Sequence, residues 1–117
     1  MKNRPFLTRI KFAATGVRSA WNSEASFRTQ IVLGGLSFVL LGALRPKPVW
    51  WAIVILASGL VLSFELVNTA LEYFVDRMHP EVHPSIAQAK DCAAAAVLVS
   101  SIASLGILIA LLIDHFF

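Results

Sequence analysis

Charged residues vanish from this chain three times, and the three gaps outline its architecture. From Ile31 to Leu44 the run IVLGGLSFVLLGAL has 14 residues and no charge. A helix crosses a bilayer with roughly 20, so the span is extended back to 29, where the long side chain of Arg28 can reach the headgroups. A second apolar stretch opens at Val49 and the pair Trp50–Trp51 and stays uncharged through Phe64. Its helical pattern continues past Glu65 to Asp76, and the tryptophans suit a membrane interface. The third, Cys92 to Ile113, has 22 uncharged residues, about 33 Å of helix. The expected spans are 29–44, 49–76 and 92–113. Between the first two, Arg45–Pro46–Lys47–Pro48 is a proline-broken turn joining antiparallel helices.

Ahead of the first span the pattern is amphipathic. Phe6, Ile10, Ala13, Val17 and Trp21 recur at helical spacing, while Arg4, Lys11, Thr15, Arg18 and Asn22 supply a polar side. Residues 6–28 are expected to form a helix lying on the membrane surface. A plain basic anchor would look much the same, except for Glu24, a carboxylate close to the start of the first span. Lys2, Arg4, Arg9, Lys11 and Arg18 interrupt the first 30 residues, which therefore do not read as a signal peptide.

Composition supports a lipid environment. Of 117 residues 57% are apolar, against 45–50% in typical soluble domains, and the mean hydropathy is +0.73. One all-α domain over 1–117 is expected. The single cysteine, Cys92, excludes an internal disulfide framework. Of the 10 basic residues, only Arg45 and Lys47 flank the outer turn. The rest lie in the N-terminal segment or, as Arg77 and Lys90, in the second connection, which places the N-terminus and that connection in the cytoplasm.

The most informative stretch is FELVNTALEYFVDR, Phe64 to Arg77. On a helix Asn68 lies about 60° from Glu65, Glu72 about 20° away and Asp76 about 20° to the other side. Three carboxylates and an amide form one stripe, with Thr69 beside it. Carboxylates at membrane depth face a protein interior or a watery site, and their mutual repulsion calls for nearby positive charge. Oxygen ligands in this spacing suit a hard divalent cation completed by phosphate, although a helix-to-helix hydrogen-bond network would also use them. Zinc is not expected, because Pro80 and Pro84 break the helix that would align His79 with His83. Lys90 adds a point charge at the level of the stripe, and Asp91 suits the first turn of the third spanning helix. Acids for Mg²⁺, a lysine for phosphate and a carboxylate able to take a proton are parts of a phosphoryl-transfer site. There is no GxxxxGK[ST] and no GxGxxG. The residues alone leave open a membrane kinase, a cation-transport subunit and a structural oligomer. Small residues Ala96, Ser100 and Ser104, with Gly34 and Gly35, favour close helix packing and a homo-oligomer.

Three segments carry a resemblance: GVRSAWNSEASFR (Gly16–Arg28), ELVNTALEYFVDR (Glu65–Arg77) and EVHPSIAQAKDCAAAAVL (Glu81–Leu98). In their order and spacing the chain resembles the small bacterial integral-membrane diacylglycerol kinases, a family that includes undecaprenol kinases. The resemblance implies a homotrimer of three transmembrane helices per subunit plus the surface helix, in the bacterial inner membrane, with composite active sites on the cytoplasmic side. It implies Glu65 as catalytic base, contacting the lipid together with Asn68, and Glu24 and Glu72 as holders of Mg²⁺. Asn68 helps set the site, Lys90 contacts phosphate beside Asp91, and Asp76, Glu81 and His83 lie near ATP. The implied reaction moves the γ-phosphoryl of ATP to the hydroxyl of diacylglycerol. An undecaprenol kinase would use the same residues, and a non-enzymatic membrane subunit is the rival outside catalysis. Expected partners are the lipid, ATP and copies of the chain, with no nucleic acid. Gln30 stands where many proteobacterial members carry glutamate, and His79–Pro80 replaces a common Gly–Ser.

Overall fold

The structure is a computed structural model and describes residues 3–78 and 83–117. Four helices follow in order: α1 (Phe6–Ser23), α2 (Ala25–Leu44), α3 (Pro48–Met78) and α4 (Pro84–Phe116). The last three are long and apolar enough to cross a membrane. α3 packs most extensively on α4 and next on α2, while α1 lies across the start of α2 and the end of α3.

The N-terminal helix stops at Ser23 rather than running on to 28. Glu24 leaves the helical conformation (φ −120°, ψ 107°), and its N–H closes α1 by donating to Ala20 O at 2.8 Å. Its own carbonyl then accepts from Arg28 N–H at 3.2 Å, so the same residue starts α2. Arg28 finishes the elbow: its guanidinium donates to Trp21 O at 2.6 Å, satisfying a carbonyl that the end of α1 leaves without an intrahelical partner. The side chain assigned to the headgroups thus ties two helices together.

At the other end of α2, Arg45 adopts a left-handed conformation (φ 53°, ψ 53°) and donates its N–H to Leu41 O at 2.9 Å. Pro48 opens α3, where a missing N–H costs nothing. The second connection also differs from expectation. Helix α4 begins at Pro84, with the His83 ring as its cap: Nδ1 accepts from Ser85 N–H at 3.1 Å. Asp91 therefore lies about two turns inside the helix, and the first turn holds no acid. The dipole rationale for Asp91 does not apply.

Packing is polarised along the bundle. Leu41, Val54 and Leu111 form a buried core at the far end, surrounded by Phe38, Leu44, Trp50, Trp51 and Ile107. There Trp50 Nε1 donates to Asp114 Oδ2 at 3.0 Å, joining the start of α3 to the end of α4. Within the chain the spanning helices cover little of each other: 6–17% of their most apolar stretches is buried. Leu36, Val39, Leu56, Val99 and Ile102 all lie exposed, so lipid or other copies must cover them. The serines expected at a packing face turn inward to their own helix. Ser100 Oγ donates to Ala96 O at 2.9 Å and Ser104 Oγ to Ser100 O at 2.8 Å, the usual way to satisfy a hydroxyl in lipid. Gly34 meets only Ser58 Oγ, 3.9 Å from where a Cβ would stand, and Gly35 nothing within 4 Å, so neither glycine serves a close approach within the chain.

Candidate active site

The polar end of the bundle is built around Glu65. The helical pattern of α3 points it inward, and it is 2% exposed, beside the equally sequestered Thr69 at 4%. Ser26, in the first turn of α2, donates its hydroxyl to Glu65 Oε1 at 2.5 Å. Thr69 returns its own hydroxyl to the Glu65 carbonyl at 2.9 Å, so it steadies the helix without touching the carboxylate. One oxygen of Glu65 is thus oriented, and Oε2 makes no hydrogen bond among the described residues. A buried ionisable side chain with a single donor is costly in a spanning helix and marks a functional position.

One turn farther along α3, Asn68 Nδ2 donates to Glu72 Oε1 at 3.3 Å. The amide oxygen of Asn68 is buried and unpartnered. Most buried polar atoms are satisfied, so this oxygen faces a place for a donor or a cation. Glu24, carried here by the elbow, completes the group. Burial pushes its carboxyl above the ordinary carboxylate range. The negative charges of Glu72 and Glu65, and a hydrogen bond with Glu72, push the same way.

The acid stripe expected on one face of α3 therefore divides. Glu65 is fixed by Ser26, Glu72 meets Glu24 and Asn68, and Asp76 turns to α4. There Lys90 Nζ stands 3.1 Å from Asp76 Oδ1, with both side chains well exposed, so solvent screens the pair. Asp91 is exposed, and His83 is engaged as a helix cap. Glu81 and the His79–Pro80 pair lie outside the described residues. Two participants escaped the sequence analysis. Ser26 sits in the SEASFR segment, one helical turn before Gln30, but its pairing with Glu65 depends on how α2 registers against α3. Tyr73 lies about 80° off the acid stripe on α3, yet its hydroxyl meets Ser23 at the end of α1.

Among the described residues, no three acidic, imidazole or thiol side chains converge tightly enough to hold a metal alone. The donors present are all oxygen: two carboxylates in mutual repulsion and an orphaned amide oxygen. That set fits Mg²⁺, which keeps waters and takes one or two carboxylates plus substrate phosphates. Two cavities flank the site. One of about 390 Å³ lies between α1 and α3, lined by Ala13, Gly16, Ala20, Leu66 and Thr69. The other, about 340 Å³, lies along α2 and α4 and includes Gln30, Ser37, Val61 and Ser101. Gln30 Nε2 donates to Ser101 Oγ at 3.0 Å at its edge.

The description "prokaryotic diacylglycerol kinase" belongs to the family model that matches residues 11–112. A diacylglycerol kinase of Escherichia coli (strain K12) is 36% identical over 118 residues, covering 97% of each chain. One from Helicobacter pylori is 34% identical over 91 residues, 78% of this chain and 71% of the relative. A third, from Synechocystis, is 35% identical over 99 residues, 84% of this chain and 57% of the relative.

Proposed function

The chain belongs to the prokaryotic diacylglycerol kinase family, and from that premise we propose how its polar end works as an ATP-dependent lipid kinase. The reaction moves the γ-phosphoryl of Mg-ATP to the hydroxyl of 1,2-diacylglycerol, giving phosphatidic acid and ADP. The observation that carries this assignment is a carboxylate, Glu65, buried in a spanning helix and oriented by one hydroxyl, next to a pair of crowded carboxylates.

Glu65 takes the proton. Ser26 holds Oε1, which leaves Oε2 to accept the hydrogen of the lipid hydroxyl as its oxygen attacks the γ-phosphorus. The bond from that phosphorus to the bridging oxygen of ADP breaks on the opposite side. Glu24 and Glu72 would hold Mg²⁺, with the buried, unpartnered oxygen of Asn68, whose amide nitrogen donates to Glu72, as a further oxygen donor. Held by the Glu24 and Glu72 carboxylates, Mg²⁺ would supply positive charge to offset what builds up on the phosphoryl group during transfer. Lys90 leaves Asp76 to meet phosphate, an exchange made easy by the exposure of their ion pair. Asp91, Glu81 and His83 stand as nucleotide-side residues, with His83 also capping α4. Val61, one turn below Glu65, lines the groove along α2 and α4, giving an acyl chain a path from the base into the bilayer.

The working unit is a homotrimer in the bacterial inner membrane, with the α1 end in the cytoplasm. Support comes from the uncovered apolar faces of α2 and α4 and from the excess of basic residues at that end. Purified protein assayed with Mg-ATP against diacylglycerol and undecaprenol tests the assignment. Phosphorylation of diacylglycerol is expected. Turnover confined to undecaprenol would change the substrate, and turnover of neither would reject the lipid-kinase assignment.

A further inference from the structure

Tyr73 follows Glu72 on α3, and Ser23 precedes Glu24 at the end of α1; a hydrogen bond joins their hydroxyls. The direction of that bond follows from proton counting. With Ser23 Oγ donating to Ser19 O at 2.9 Å, its lone pairs are left to accept from the Tyr73 hydroxyl. Ser19 Oγ stands 3.5 Å from the same phenol oxygen. Among the described residues these are the only side-chain hydrogen bonds between α1 and α3. Around these bonds Ala20 is buried, and Ala13, Gly16 and Val17 line the cavity between the two helices.

Glu24 needs such a fixed point. It is the one non-helical residue between α1 and α2, so its side chain is aimed by the relative placement of two helices rather than by either alone. The bond between Tyr73 and Ser23 ties together the immediate chain neighbours of Glu24 and Glu72. We propose that Tyr73 is a positioning residue: its hydroxyl latches α1 to α3 and sets the Glu24 carboxylate against Glu72 for divalent-cation binding. This rests on the metal role given above to those two acids.

The test uses the full-length protein in detergent, with Mn²⁺ titrated in the presence of a non-hydrolysable ATP analogue and free Mn²⁺ followed by electron paramagnetic resonance. Tyr73→Phe keeps the ring and loses the donor, and Ser23→Ala loses the acceptor. Each is expected to weaken Mn²⁺ binding about fivefold, the usual worth of one hydrogen bond. The double variant should be no weaker than either single one, and Ser23→Thr, which keeps a hydroxyl, should bind as the parent does. In turnover assays the Mg²⁺ midpoint should rise in parallel while KM for diacylglycerol stays fixed. Unchanged Mn²⁺ affinity in Tyr73→Phe, with Glu24→Ala clearly weakened, overturns the latch alone. Unchanged affinity in Glu24→Ala as well overturns the metal role and the latch with it. A lower melting temperature with unaltered Mn²⁺ affinity makes Tyr73 a packing residue and also refutes the proposal.

Discussion

Replacing Glu65 by glutamine tests the base and separates catalysis from architecture. The amide is nearly isosteric and keeps an oxygen to accept from Ser26, now 2.5 Å from Glu65 Oε1, so the α2–α3 contact survives. What goes is the ability to take a proton. Positioned general bases contribute about 10²–10⁴-fold, which at about 1.36 kcal/mol per decade is roughly 2.7–5.4 kcal/mol of barrier. Stability should move the other way. The native carboxylate is 2% exposed with one donor, and burying a charge costs several kcal/mol. The new amide N–H₂ lacks a partner, at a cost of about 1–3 kcal/mol. The charge term is the larger, so the variant should melt no lower than the parent. The assay is ADP release in mixed micelles of detergent and diacylglycerol, with oligomeric state checked by chromatography. Activity within tenfold of the parent would refute the base assignment. An inactive protein that also melts lower or loses its assembly would refute the separation of roles.

Three further outcomes follow from the same contacts. Because the Glu24 carboxyl is raised, the folded, metal-free protein holds that proton at a pH where the unfolded chain has released it. Its stability should rise as pH falls through that range, while Mg²⁺ binding weakens. Glu24→Gln should abolish both pH dependences and raise the melting temperature in Mg²⁺-free buffer at neutral pH, and thermal scans against pH check this. Lys90→Ala should raise KM for ATP at least tenfold without a measurable change in melting temperature, since its exposed pair with Asp76 is worth about 0–1 kcal/mol; steady-state kinetics and a thermal scan decide. Trp50→Phe removes the bond to Asp114 and should cost about 1 kcal/mol of stability with kcat and KM unchanged, measured by unfolding in mixed micelles.

The spanning helices were legible as three uncharged apolar runs, although only Cys92–Ile113 reaches spanning length by itself and the other two are completed by the helical residues that flank them. The acid stripe was legible because helical periodicity is rigid within one element. What stayed hidden depends on the register between elements. The elbow at Glu24 has neither glycine nor proline to announce it in AWNSEASFR; it is fixed by the contacts α1 makes with α2 and α3. Ser26 and Tyr73 look unremarkable in their own helices, and only the seating of α3 against α2 and α1 gives them partners. Asp91 was misplaced for the opposite reason: an apolar run marks where a helix enters lipid, while His83 and Pro84 mark where it starts.

The depth of these groups fits the division of labour proposed for them. If the Trp50–Trp51 pair marks one interface, Glu65 lies about 22 Å beyond Trp50 along α3 and Glu72 about 33 Å beyond it. The hydrocarbon layer is about 30 Å thick, so Glu65 falls inside its opposite margin and Glu72 just past it. A diacylglycerol keeps its chains in hydrocarbon and its hydroxyl at that margin, whereas ATP cannot leave water. With Glu65 as the proposed base and Glu72, about two turns outward, as a proposed metal holder, each substrate would stay in its own phase while the phosphoryl group crosses between them.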